Sequence, residues 1–226
     1  MRLSWIDRWR GFLIISIVFF HVICVGISVG NIDTIGVLES LKSFISSYHV
    51  ASFFVIAAIL WKEQNISISD FVIKKSKRLL IPYAIFGIWM VVIFSLSAHF
   101  VSGIDYYSNL ANNLSWYAPF LALLHGGGWP NDIGNRVIGP LWFLPCFFSS
   151  QLVFYFVSKF CNSTTSWFSA AVFFLVIRLL IVKFELGFNF LGGGMAILFI
   201  IVMCISRGIL LKFNFDINND KRLNLN

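Results

Sequence analysis

Six runs of apolar residues, each close to the length needed to cross a bilayer, divide the chain at 11–29, 44–61, 79–100, 138–158, 167–184 and 190–206. A helix rises about 1.5 Å per residue, so about 20 apolar residues cross the hydrocarbon layer. The pattern predicts an all-α fold, a polytopic membrane helix bundle of about six transmembrane helices. A seventh run, LSWYAPFLALLH (114–125), is shorter and contains a proline. It reads as interfacial or re-entrant.

Composition agrees with the pattern. Of 226 residues, 58% are hydrophobic and 12% charged, and Phe alone contributes 26. A soluble domain carries about 25% charged residues. The net charge of +7 raises the question of nucleic acid, and its distribution answers it. Arg2, Arg8 and Arg10 precede the first run; Lys62, Lys74, Lys75, Lys77 and Arg78 follow the second; Lys159 follows the fourth; Arg207, Lys212, Lys221 and Arg222 follow the sixth. These are thirteen of the seventeen cations. Short cationic loops mark the cytoplasmic side. The asymmetry therefore predicts both termini in the cytoplasm and leaves no nucleic-acid patch to explain. The basic, apolar start resembles a signal peptide, but no small-x-small cleavage site follows 11–29, so a retained helix is expected. Cys24, Cys146, Cys161 and Cys204 are scattered, with neither metal-ligand nor disulfide spacing. Residues 101–137 form the longest extracytoplasmic piece, rich in Asn, Gly, Tyr and Trp; a polar piece this long between spans reads as either functional or a solvated connector. The expected membrane domain covers 1–211, with a polar tail at 212–226.

Ionisable groups inside the apolar runs are the candidates for chemistry. Arg10 and His21 are eleven residues apart, which on a helix places them within about 20° of one face and about 16 Å apart along the axis. Asp7 lies about 40° away on the same side. In the second run, His49 is thirteen residues before Lys62, about 20 Å from the cytoplasmic end and close to the depth of His21. Polar groups at that depth face a cavity or a partner helix. Ser, Asn and Tyr neighbours could hydrogen-bond there, and interhelical glue is the simpler alternative. His99 and His125 lie near expected interfaces and read as exposed ends. Between 74 and 78, in DFVIKKSKRLLIPY (70–83), four cations fall in what reads as a loop before the third span, with Pro82 early in the helix that follows. They serve either as headgroup anchors or as an anion site for a phosphorylated cofactor. Arg178 either snorkels or pairs within its span.

IDRWRGFLIISIVFFH (6–21) resembles the opening helix of the membrane acyltransferase-3 family, with its acidic residue, arginine-glycine pair and histidine at this spacing. YHVASFFVIAAIL (48–60), FVIKKSKRLLIPY (71–83) and GPLWFLPCFF (139–148) resemble three further family segments, in the same order. The resemblance implies transfer of an acyl group, often acetyl, from cytoplasmic acyl-CoA to a hydroxyl of a glycan or lipid-linked sugar. It implies that His21 is catalytic, as general base or transient acyl carrier, and that Arg10 is essential. His49 would orient or polarise. Lys75 and Arg78, with Lys74, stand where the family carries two arginines three apart, and would hold the phosphates of acyl-CoA (acetyl-CoA), the donor. Lysine keeps the charge and loses the bidentate fork. No metal is expected.

Two departures bear on activity. Ala57 and Ala58 stand near the family's usual serine-glycine. The family typically has about ten spans, so either a C-terminally truncated product or a bundle that needs a partner to complete it is expected here. Localisation in a bacterial cytoplasmic (inner) membrane follows from the resemblance. A transporter, suggested by midplane ionisable groups and by GGG at 192–194, and a non-catalytic membrane fragment or subunit are the alternatives.

Overall fold

The computed structural model describes residues 4–29, 32–62, 66–100, 123, 139–184 and 193–213. Among them all regular structure is helical: α1 (Ser4–Val29), α2 (Ile32–Ile59), α3 (Ile68–Phe100), a 3-10 turn (Gly139–Trp142), α4 (Phe143–Phe160), α5 (Thr164–Lys183) and α6 (Gly193–Lys212). Five segments are long and apolar enough to cross a membrane: Gly36–Ile59, Ile68–Ile93, Phe143–Phe160, Thr164–Lys183 and Met195–Lys212. The sixth helix, α1, opens with Asp7, Arg8 and Arg10 and is uncharged from Gly11 to Val29, the first expected run. Ile14, Ile15 and Val18 of α1 and Val172, Phe173 and Leu179 of α5 point outward. Such outward apolar faces suit lipid tails, against which they lose nothing.

Helix ends follow the local sequence. Ser67 caps α3: its hydroxyl accepts from the Asp70 N–H at 3.1 Å and donates to the Asp70 carboxylate at 2.7 Å. That acid also complements the positive end of the helix dipole. Ser163 caps α5 reciprocally, its Oγ accepting from the Ser166 N–H at 3.2 Å while its own N–H donates to Ser166 Oγ at 3.0 Å.

These caps correct one expectation. The cations at 74–78 are not in a loop; they occupy early turns of α3, which begins at Ile68. Lys and Arg are good helix formers, so nothing local stops the helix from starting before the apolar run. Pro82 then lies inside α3, past its first turns, and has no N–H to give the Arg78 carbonyl. α2 likewise starts at Ile32, twelve residues before the apolar run. Gly193 and Gly194 open α6, and Gly192 before them lies outside the described residues. Of the run 114–125, Leu123 is described and is helical; the remainder, and His125, lie outside the described residues.

The chain divides into two compact units. One comprises Met1–Lys62, Ser163–Phe168 and Val202–Asn226; the other comprises Glu63–Asn162 and Ser169–Ile201. In the first, α1 and α2 pack antiparallel. Ile6, Leu13 and Ile56 are buried together, with Trp5, Tyr48, Phe53 and Leu60 against them. In the second, α3 and α4 pack antiparallel: the Phe71 ring packs tilted against Tyr155, centroids 4.6 Å apart, and Leu144 packs on Tyr83 a few turns further along. Ser150 of α4 is fully buried, its hydroxyl reaching the Cys146 carbonyl at 2.8 Å and the Ala196 carbonyl of α6 at 3.3 Å.

Candidate active site

In the first unit the two expected imidazoles come together. Phe20 sits between them, its ring centroid 5.3 Å from that of His21 and 5.1 Å from that of His49. His49 is buried at 6% exposure and faces α1, whereas His21 is half-exposed at the edge of the helix pair. The α1 residues buried against α2 are Ile6, Leu13, Ser16 and Ile23. Helical geometry turns the Arg10–His21 face roughly 100° from that line. His21 therefore borders the seam that His49 occupies.

The tautomer of His49 is legible from its bonds. Nδ1 lies 2.6 Å from the Ile45 carbonyl. A carbonyl only accepts, so Nδ1 carries a proton, and in the neutral ring Nε2 is then the acceptor. Next to it, Tyr48 donates its hydroxyl proton to Ser16 Oγ at 3.3 Å, and Ser16 donates to the Phe12 carbonyl at 2.9 Å. This chain pins α2 to α1 one turn from the imidazoles. The polar neighbours Ser16 and Tyr48 bond each other, while the Nδ1 partner of His49 is the Ile45 carbonyl of its own helix.

Arg10 lies at the charged start of α1. Its guanidinium is 3.7 Å from the Asp7 carboxylate one turn earlier, and both groups are partly exposed. The expected placement of an acid and a base on one face of α1 holds. An exposed i, i+3 pair contributes a few tenths of a kcal/mol. Asp7 therefore steers Arg10 without consuming it.

The cationic group lies in the second unit. Phe71, Lys74, Lys75 and Arg78 fall at i, i+3, i+4 and i+7 of α3, a single helical face. Phe71 points to α4, so the cations line the side of α3 that meets α4. Lys75 Nζ lies 5.4 Å from the centre of the Phe71 ring. Sequence reasoning missed the other half of this arrangement. Tyr155 of α4 carries Lys159 one turn on, with Nζ 4.5 Å from the Tyr155 ring centre. Two aromatic-lysine pairs at i, i+4, facing each other across a helix pair, were the signal. Arg178, in α5, is half-buried. His99 belongs to α3.

The fold and these residues define a multi-pass helical membrane protein with ionisable groups set inside its spans. The chain belongs to the acyltransferase-3 family: the model of the family's acyltransferase domain matches residues 3–225, nearly the whole chain, and the protein is an acyltransferase. No curated protein and no solved structure matches it.

Proposed function

We propose that this protein transfers an acetyl group from acetyl-CoA to a hydroxyl of a cell-envelope glycan or lipid-linked sugar, in a bacterial cytoplasmic membrane, with His21 as the general base. The observation that carries this reading is the pairing of His21 with His49 around Phe20, on a helix whose same face carries Arg10. Ionisable groups are costly within a span and are kept where they act. The acceptor hydroxyl gives its proton to His21 as its oxygen attacks the thioester carbonyl. The carbon–sulfur bond then breaks, and the proton passes to the departing CoA thiolate. His49, whose Nε2 lone pair is free to accept, orients the proton-bearing partner. Lys74, Lys75 and Arg78 bind the phosphates through charge-assisted hydrogen bonds.

The test is transfer of labelled acetyl from acetyl-CoA to envelope glycan in membranes carrying wild type or His21→Ala at matched protein level. A base that moves a proton in the transition state contributes about 10²–10⁴-fold, and a loss of that size is expected. Full transfer by His21→Ala in a folded protein would exclude the assignment.

A further inference from the structure

The seam between α3 and α4 holds more positive charge than headgroup anchoring at one helix requires. Among the described residues, none of Lys74, Lys75, Lys77, Arg78 and Lys159 is paired with a carboxylate. Lys75 and Lys159 belong to different helices, yet each ammonium lies over one ring of the same contacting pair, Phe71 and Tyr155. Both rings are buried, at 3% and 2% exposure. The Tyr155 hydroxyl donates to the Ile66 carbonyl at 2.9 Å, which fixes its ring and ties the end of α4 to the segment leading into α3. The two lysines are therefore held over a rigid floor, not left to wander as surface lysines do. One turn before Tyr155 on the same face, Gln151 is 4% exposed and its Oε1 has no hydrogen-bond partner. The seam thus holds unpaired cations and an unpaired acceptor together, a set that a ligand with both anionic and N–H groups would satisfy.

We propose that Lys159 is a further donor-binding residue, which takes the ribose 3′-phosphate of acyl-CoA while Lys75 and Arg78 take its pyrophosphate. This rests on acyl-CoA being the donor. The order follows from the antiparallel packing. Lys75 and Arg78 continue from Phe71 into α3, toward the apolar interior. Lys159 continues from Tyr155 toward the end of α4, away from it. Acyl-CoA carries its phosphates at two separated points, and the pyrophosphate is the one joined to the acyl-bearing arm. The outermost cation therefore faces the 3′-phosphate.

The experiment measures binding of radiolabelled acetyl-CoA and of 3′-dephospho-acetyl-CoA to the full chain in phosphatidylcholine vesicles. It compares wild type, Lys159→Gln, Lys159→Arg and Lys183→Gln. Lys183 also lies over a ring, that of Phe184, at a helix end, and is the control for a generic lysine. Lys159→Gln is expected to weaken acetyl-CoA binding about tenfold, the scale of one charged hydrogen bond. It should leave the dephospho compound nearly unchanged; Lys159→Arg should restore affinity and Lys183→Gln should not alter it. Equal weakening of both compounds, or the same loss in Lys183→Gln, overturns the 3′-phosphate assignment. So does a wild-type difference from Lys159→Gln that appears only when anionic lipid is added, since that marks a headgroup contact. Unchanged binding in Lys159→Gln overturns the role of Lys159 and leaves acyl-CoA as donor intact. Failure of wild type to bind either compound overturns the donor reading and this one with it.

Discussion

At the scale of single residues, the imidazole pair and its supports have separable duties. Tyr48 touches Ser16 and the rings of Phe12 and Phe44, and not the imidazoles' reactive nitrogens. Tyr48→Phe removes one interhelical hydrogen bond, worth about 1 kcal/mol within a membrane. Its expected signature is a lower unfolding temperature in detergent with labelled transfer close to wild type; unchanged stability with lost transfer would give Tyr48 a chemical role instead. His49→Ala should lower transfer by about tenfold, less than the 10²–10⁴ of a group that moves the proton itself. A loss from His49→Ala as large as that from His21→Ala would make the two imidazoles equal partners. The Arg10–His21 face and the depth of His49 were legible because helical period and rise convert directly into angle and height. Phe20, which bridges the two rings, was not. An apolar side chain in an apolar run carries no signal of what it touches.

At the scale of elements, the errors share one cause. Hydropathy marks where a helix meets lipid, not where it begins. α3 starts eleven residues before its apolar run because Ser67 caps it and Lys and Arg continue it. Reading the basic stretch as a loop hid the shared face of Phe71, Lys75 and Arg78, and with it the seam against α4. The same helix shows how Leu123 is held. Tyr83 donates its hydroxyl proton to the Leu123 carbonyl at 2.7 Å, and one turn later Gly87 leaves the space that the Leu123 side chain enters. A Cβ at position 87 would collide with that side chain. Gly87→Leu should therefore displace Leu123 and cost about 1–3 kcal/mol. Tyr83→Phe should cost less, because the ring stays packed on Leu141 and Leu144. Thermal unfolding of the two purified variants in one detergent checks the order, and a Gly87→Leu protein as stable as wild type would contradict it.

At the scale of the whole molecule, the packing within each unit bears on orientation. In the first unit the antiparallel pairing of α1 with α2 brings Arg8, Arg10 and Lys62 to one end of that pair. In the second unit the pairing of α3 with α4 brings Lys74 to Arg78 and Lys159 to one end of theirs. Charge counting along the sequence reaches the same grouping without knowing either contact. It does so because each span must reverse direction, so a basic end on one helix recurs at the opposite terminus of the next. Lys212 ends α6 and Lys183 ends α5. From the sequence, the positive-inside rule predicts both ends in the cytoplasm and residues 101–137 outside. Alkaline phosphatase, active only after export, should be inactive when fused after Asn226 and active when inserted near Asn113. A fluorescent protein that matures only in the cytoplasm should light up after Asn226 and stay dark at Asn113. The reverse pattern would place Lys75, Arg78 and Lys159 outside the cell, away from cytoplasmic acyl-CoA. The donor assignment would then fail along with the topology.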